Sequence, residues 1–411
     1  MGVIPIAPAG APPADVAAYL RPGTLSLPAL PPLSLYIHFP WCVRKCPYCD
    51  FNSHEPDGGT AAIPEADYLR ALRADIETAL PLIWGRRIIS VFIGGGTPSL
   101  LSAAGVEALL SDVRALLVLE ADCEITLEAN PGTVEAERFA AYRASGINRL
   151  SLGIQSFDEA KLQALGRIHD RRQALAAVEV ARRAFDNFNL DLMYGLPQQT
   201  LEEAQRDVEQ ALLLEPPHLS LYQLTVEPNT VFAKRPPPLP DDDVTASMHA
   251  WIEQRTRESG YRHYEVSAYA RAGCESRHNL NYWGFGDYLG VGPGAHSKLS
   301  FPHRIVRQVR YRSPASYLQR ASRGEFLAED VEVGRADLPF EFMLNAMRLL
   351  EGVPASWFTE RTGLPPTTIQ RQLEDAERRG LLEVDHARWR PTALGARFLS
   401  DLQALFLPSG C

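Results

Sequence analysis

The sequence predicts an α/β fold: a partial (β/α)6 barrel followed by a smaller, mostly helical, winged-helix-like domain. Three observations carry this. Short β-rich runs alternate with helical patterns from residue 34 to residue 224, giving six strands, and such alternation implies parallel strands joined by right-handed crossovers. Six units are too few for the full eight-stranded barrel, so an open, partial barrel fits better. From about residue 300 the chain changes character, with short helical stretches and a pattern suited to a small β-wing.

The elements follow in order. Residues 1–32, rich in Pro and Ala, read as an irregular leader. SLYIHF (34–39) is a first strand bounded by prolines, and EADYLRALRADIETAL (65–80) has apolar residues at helical spacing. IISVFI (88–93) is a strand ended by three glycines, and a helical pattern follows at 104–118. CEITLEA (123–129) is ended by Asn130-Pro131-Gly132, before a helix near 134–144. RLSLGI (149–154), helix 171–185, NLDLMY (189–194), helix 201–214 and LSLYQL (219–224) complete the array. The strands read as apolar throughout, as expected where both faces are covered. Asp241-Asp242-Asp243 open a helix to about 258, where acidic residues suit the N-terminus. The later helical stretches are EFMLNAMRLLEG, PASWFTERTG and PPTTIQRQLEDAERRG, ahead of LLEVDHARWRPTALGARFLSDLQALF.

Composition narrows the function classes. A chain of 411 residues with 45% hydrophobic residues can bury two or three domain cores. The net charge is −9 and no long basic run appears, which argues against nucleic acid or a membrane surface as partner. The C-terminal unit repeats this: Asp337 to Cys411 holds ten acidic and eight basic residues, no footprint for phosphate. No apolar stretch approaches the twenty or so residues of a spanning helix, so an integral membrane protein is not expected. MGVIPIAPAGAPP lacks a secretory pattern. Of six cysteines, Cys42, Cys46 and Cys49 are clustered, and Cys123, Cys274 and Cys411 stand singly. That distribution fits a reducing, cytoplasmic chain with one soft-metal site, Cys123 and Cys274 being ordinary buried or half-buried residues.

The cluster lies in PWCVRKCPYCDFNSH (40–54), with Cys–x3–Cys–x2–Cys spacing. Zinc would require a fourth ligand, for which His54 and His38 are candidates. A four-iron cluster takes thiolates and tolerates one non-protein ligand. Position 51, where a fourth sulfur could follow, is Phe51. Gly94-Gly95-Gly96-Thr97, Glu128, Gln155 and Asp191 stand at the C-terminal ends of strands, where α/β barrels place ligands. The glycines would let backbone amides approach a ligand with no side chain in the way.

A strand followed by CxxxCxYC and a helix, at the start of an α/β array, resembles the radical S-adenosylmethionine superfamily. GGGTPS (94–99), EANP (128–131), RLSLGIQSF (149–157), LGRIHD (165–170) and NLDLMYGLPQQT (189–200) are similar to blocks of one subfamily. It holds oxygen-independent coproporphyrinogen III dehydrogenase and a heme chaperone, and the likeness covers most of residues 34–400. The resemblance implies that Cys42, Cys46 and Cys49 hold a [4Fe–4S] cluster whose open iron is chelated by the amino and carboxylate groups of S-adenosylmethionine. It further implies that Tyr36 and Tyr48 flank that molecule, that Gly95, Gly96 and Thr97 line it, and that Glu128, Gln155, Arg167 and Asp191 bind its polar atoms. Each has a plainer alternative: Glu128 or Asp191 could cap the next helix, and Arg167 could make a surface ion pair.

Two departures separate the branches of that subfamily. The dehydrogenase carries a further cysteine two residues after the third, where this chain has Phe51, and a longer N-terminal region, where this chain has a loose leader. HNLNYW (278–283) is similar to the HNxxYW pattern tied to heme binding in the chaperone branch. There His278 could be an axial ligand, with Tyr282 and Trp283 offering flat apolar surfaces; otherwise all three are ordinary core residues. The resemblance therefore implies a protein that binds heme and transfers it to acceptor hemoproteins, with coproporphyrinogen III dehydrogenase as the alternative and a radical enzyme on another substrate as a third. The expected division is a radical S-adenosylmethionine core over 33–275, a heme-contact segment over 276–300 and a C-terminal domain over 301–411.

Overall fold

The computed structural model describes residues 16–133 and 136–408 of the 411-residue chain. Half of the expected leader, the start of the helix expected near 134, and Cys411 lie outside the described residues.

A short helix α1 (Val16–Tyr19) precedes β1 (Leu33–Phe39). Then come α2 (Glu65–Ala79), β2 (Arg87–Gly95), α3 (Ala103–Leu116), β3 (Val118–Ala129), α4 (Ala136–Ser145) and β4 (Arg149–Gln155). They are followed by α5 (Glu159–Ala164), α6 (Arg171–Ala184), β5 (Phe188–Tyr194), α7 (Leu201–Leu213) and β6 (His218–Gln223). Local chemistry sets the helix starts. Ser102 caps α3 by accepting from Gly105 N–H, and capping boxes Asp170/Gln173 and Thr200/Glu203 open α6 and α7.

β1 to β6 pair in sequence order, all parallel, as the core of one sheet. Their outward residues, such as Leu35, Ile37, Val91, Ile93, Leu127, Leu152 and Leu190, are buried with Leu72, Ile76, Leu109 and Val178 of the covering helices. Each such side chain contributes about 1.5–3 kcal/mol of burial. The inward positions are different, and they correct the expectation of strands apolar on both faces. Ser34, Tyr36 and His38 alternate along β1; Glu124, Thr126 and Glu128 along β3; Asn189, Asp191 and Met193 along β5. They meet across strands: Ser34 with Ser90 at 2.7 Å, Ser151 donating to Asp191 at 2.8 Å, His218 with Asn189 at 2.7 Å. The barrel interior is therefore a polar lumen.

The chain continues with α8 (Val231–Lys234), α9 (Asp242–Glu258), β7 (Arg262–Glu265), β8 (Ala268–Ala270), α10 (Arg277–Trp283), β9 (Asp287–Val291), β10 (His296–Phe301), β11 (Arg304–Arg310), α11 (Pro314–Ala321) and β12 (Leu327–Glu332). Asp241 caps α9, accepting from Val244 N–H. β8 and β7 extend the sheet beyond β6, and β9 to β12 extend it beyond β1, giving twelve strands among the described residues. This corrects the change of character expected at 301: residues 301–332 belong largely to the same sheet. The reason is that Lys298 and Arg310 are buried in ion pairs, with Asp287 at 2.9 Å and Asp75 at 3.3 Å. Charges that look solvent-facing in sequence are strand residues here. The described part of the leader is also packed rather than loose. Tyr19 stacks on Phe301, and Leu25 and Leu27 donate backbone hydrogen bonds to His303 and Pro302.

The helical unit begins later, with α12 (Leu338–Ala346), β13 (Val353–Pro354), α13 (Ser356–Thr362), α14 (Gln370–Arg378), β14 (Leu382–Val384), β15 (Arg388–Pro391), α15 (Ala393–Arg397) and α16 (Leu399–Ala404). The strands form a three-stranded antiparallel sheet beside the helices, the expected small wing. Its core of Leu338, Phe342, Phe358, Leu373 and Trp389 also takes in Phe285, Leu25 and Leu27.

Candidate functional site

The cysteine loop leaves the C-terminal end of β1. Its base is closed by Cys42 N–H donating to His54 O (3.0 Å) and His54 N–H donating to Pro40 O (2.8 Å). Asn52 ties it to the sheet extension by donating to Pro293 O and Arg312 O at 2.9 and 2.8 Å. His38 donates from Nε2 to Asn52 O (2.9 Å) and accepts at Nδ1 from Tyr36 (2.8 Å). Both of its nitrogens are thus engaged, and burial depresses its pKa to about 4. Its expected alternative as a zinc ligand therefore has no free nitrogen. His54 Nε2 is likewise held by Asn52 Oδ1 at 3.1 Å.

Cys42, Cys46 and Cys49 are free thiols, Cys42 buried and the others half-buried. Burial pushes the Cys42 thiol up to about 11 and raises Cys49 as well. Cys42 and Cys49 therefore stay neutral until a cation stabilises their thiolates. Among the described residues no three His, Cys, Asp or Glu side chains converge on a single-ion position. A four-iron cluster takes one thiolate per iron, and three thiols lining one opening fit that demand. Phe51 is 58% exposed beside them.

The three cysteines, Tyr48, Gly95, Gly96, Thr97, Glu128, Gln155, Arg167 and Asp191 line one cleft of about 260 Å³ at the strand ends. Eleven of the fifteen residues singled out in the sequence are thus brought together. None of the plainer alternatives for the acidic residues and the arginine holds. Glu128 accepts from Gly95 N–H at 3.0 Å, and Asp191 accepts from Ser151 and Asn189 at 2.8 Å each. Burial, and then the charge on Asp191, raises Glu128 to about 8; burial raises Asp191 too. Arg167 is an interior residue, donating to Gly153 O at 2.7 Å and lying 3.8 Å from Cys46 Sγ. Its Nε is buried without an acceptor. Gln155 sits at φ 67° at an irregularity between β4 and β5, a costly conformation for a non-glycine residue.

The glycine turn serves a different purpose from the one expected. Gly95 N–H is given to Glu128, Gly96 N–H to Phe39 O and Thr97 N–H to Trp41 O. These amides are not available to a ligand. The glycines are required because Gly95 takes φ 117° against the His38 ring, and a Cβ on Gly96 would run into the Trp41 backbone. They let the cysteine loop lie directly on the end of β2.

Tyr36 and the HNLNYW residues do not line the cleft. Tyr36 lies further down the lumen, stacked near Phe92. His278, Tyr282 and Trp283 belong to α10, which closes the opposite end of the barrel. The His278 ring stacks on Phe92 at 4.9 Å and its Nδ1 is 3.5 Å from Ser90. Ser90 is five residues before Gly95 on β2, roughly 16 Å of strand. Burial, and then Arg149, depresses His278 to about 4, so its imidazole is neutral. Asn281, within the motif but not singled out, anchors α10 by donating to Ser34 and Asp287 O at 2.9 Å each. Ser151, Asn130, Met193 and Tyr222 also line the cleft and were missed. Inward alternation along RLSLGIQ and NLDLMY could have found Ser151 and Met193.

Comparison with known proteins follows the same lines. The chain matches the Radical SAM superfamily over residues 36–211 and the HemN C-terminal domain over residues 333–398. It is 51% identical over 387 residues to a Haemophilus influenzae protein named heme chaperone HemW, covering 93% of this chain and 99% of that one. It is 50% identical to the Escherichia coli protein of the same name, covering 92% and 99%. A mouse relative, radical S-adenosyl methionine domain-containing protein 1, mitochondrial, is 36% identical over 391 residues, covering 91% and 87%. The solved structure of coproporphyrinogen III oxidase (HemN) from Escherichia coli superposes with a TM-score of 0.78 at 25% identity, covering 92% of this chain and 90% of that one.

Proposed function

We propose a function from one premise: the chain belongs to the radical S-adenosylmethionine superfamily and, within it, to the heme chaperone HemW family. On that premise the protein binds heme and passes it to acceptor hemoproteins in the cytoplasm. The observation that carries the reading is that the HNLNYW helix closes one end of the lumen whose other end carries three free thiols. Among the described residues no helix is long and apolar enough to cross a membrane.

Cys42, Cys46 and Cys49 would hold a [4Fe–4S] cluster, which when bound offers an open iron to the amino and carboxylate groups of S-adenosylmethionine. Glu128 and Asp191 give that cationic molecule two carboxylates, one of them protonated near neutral pH. Arg167 keeps positive charge beside Cys46 and has Nε–H to donate. Tyr48 and Gln155 border the same space. His278, held neutral by burial, is in the protonation state an axial ligand needs.

Anaerobic reconstitution of the full chain tests this in two parallel assays. Heme should bind with a Soret band that shifts with oxidation state, and His278→Ala should lower the affinity. Coproporphyrinogen III should not be consumed when S-adenosylmethionine and a reductant are present, in the wild-type protein or in Phe51→Cys. Robust formation of protoporphyrinogen IX by the unmodified chain would overturn the chaperone reading. Unchanged heme affinity in His278→Ala would keep the function and move the ligand elsewhere.

A further inference from the structure

The C-terminal unit places an arginine against α10 and β7. Arg348 follows α12 and is fixed there by a bridge between Glu265 of β7 and Leu349, and by Leu350 N–H donating to Tyr264 O at 3.1 Å. Its guanidinium lies over the Trp283 ring of α10, 4.1 Å from the centroid. Its carboxylate neighbour, Glu265, is 3.7 Å away, too far for a hydrogen bond. Arg348 Nε and Trp283 Nε1 are both buried without an acceptor, and Glu265 Oε2 is buried without a donor. Two orphan donors at one place are costly unless something with acceptor oxygens arrives.

Arg348 is not sealed in: its side chain keeps 27% of its exposure. Tyr222 of β6 lines the cleft and is 41% exposed although β6 is an interior strand of the sheet. It also lies near enough to interact with Arg348, as does Tyr282. The surroundings of Arg348 are thus aromatic and partly open.

We propose that Arg348 is a carboxylate-binding residue, taking a propionate of a porphyrin macrocycle that enters the lumen towards α10. The inference rests on the heme reading above and adds to it a residue from the C-terminal unit. A flat apolar ring with anionic arms matches aromatic walls around a guanidinium. The planar fork of arginine suits two carboxylate oxygens, and a pairing closer than 3.7 Å would compete with Glu265.

The test compares heme with its dimethyl ester, in which both propionates are capped. Soret titrations on the reconstituted full chain should show heme bound about 10- to 100-fold tighter than the ester. Arg348→Gln should bind the two within about threefold of each other, with a far-ultraviolet spectrum like the wild type. Arg348→Lys, which keeps charge but loses the fork, should fall between, and it decides the matter if the Gln variant does not fold. Equal affinity of the wild-type protein for heme and ester overturns the assignment, as does full discrimination in a folded Arg348→Gln protein; in both cases the heme reading stands. A wild-type protein that binds neither molecule overturns the heme reading together with this inference.

Discussion

Removing the Glu124 carboxylate should release α10 from the barrel floor. Glu124 is buried on β3 and accepts from Arg277 N–H at 3.1 Å, from His278 N–H at 3.2 Å and from the Ser276 hydroxyl at 3.4 Å. These are first-turn amides that the helix itself cannot satisfy. Alanine would orphan two backbone donors and remove a negative charge from the positive end of the helix. At about 1–1.5 kcal/mol per lost donor and about 0.5–1 kcal/mol for the charge, Glu124→Ala should cost about 3 kcal/mol. Arg277 would keep its ion pair with Asp122 at 2.9 Å, so the helix would loosen rather than vanish. Urea unfolding should show the loss in overall stability. Hydrogen exchange should show where it acts: the Leu280 and Gly284 amides, bonded within α10 to Ser276 O and Leu280 O, should exchange about 100-fold faster. Exchange within threefold of wild type, with less than about 1 kcal/mol lost, would refute the latch.

The other expectations concern the cleft. Changing Cys42, Cys46 or Cys49 to Ala should abolish the iron–sulfur absorption of the reconstituted protein, whereas Cys123→Ala and Cys274→Ala should leave it; a full cluster in Cys46→Ala would exclude the ligand set. Asp191→Ala should weaken S-adenosylmethionine binding by about 1–3 kcal/mol in calorimetry while iron content stays the same. Glu128, raised to about 8, is mostly protonated at pH 7, and a cationic ligand favours its ionised form. Affinity for S-adenosylmethionine should therefore rise between about pH 6 and 8 and level off above, with proton release at pH 7 visible in buffers of different ionisation enthalpy. Glu128→Gln should abolish that release; an unchanged proton count would remove Glu128 from the site.

The parallel strands were legible because their outward residues are Leu, Ile and Val in runs flanked by helical patterns, a signal contained in each segment. The cysteine loop was legible because its spacing is local. What escaped depends on contacts far apart in the chain. β10 and β11 carry Lys298, Arg307 and Arg310, whose partners Asp287, Glu341 and Asp75 lie elsewhere in the sequence. HNLNYW could be recognised as a pattern, but its place at the barrel floor is set by Glu124, more than 150 residues earlier. Arg348 carried no local signal. The glycine turn shows a subtler limit: sequence indicates that side chains are excluded there, and only the fold shows that the excluding neighbours are His38 and Trp41 rather than a ligand.

The polar interior bears on function more directly than any single motif. A barrel built only for stability would fill its lumen with branched apolar residues in layers. This one places Ser34, Ser90, Thr126, Ser151, Asn189, His218 and Ser220 inside and satisfies most of them across strands. Such a network gives less burial energy than Leu and Val would, and its members are themselves buried, so what it supplies is a fixed set of polar positions rather than open space. At the upper end the network terminates in Glu128 and Asp191 under the thiols; at the lower end it terminates in His278 and α10. Two ends of different chemistry, about 16 Å apart along β2, separate a sulfur and carboxylate site from an imidazole and aromatic one. On the function proposed above, a macrocycle against α10 and a small cation in the cleft would therefore not share ligands.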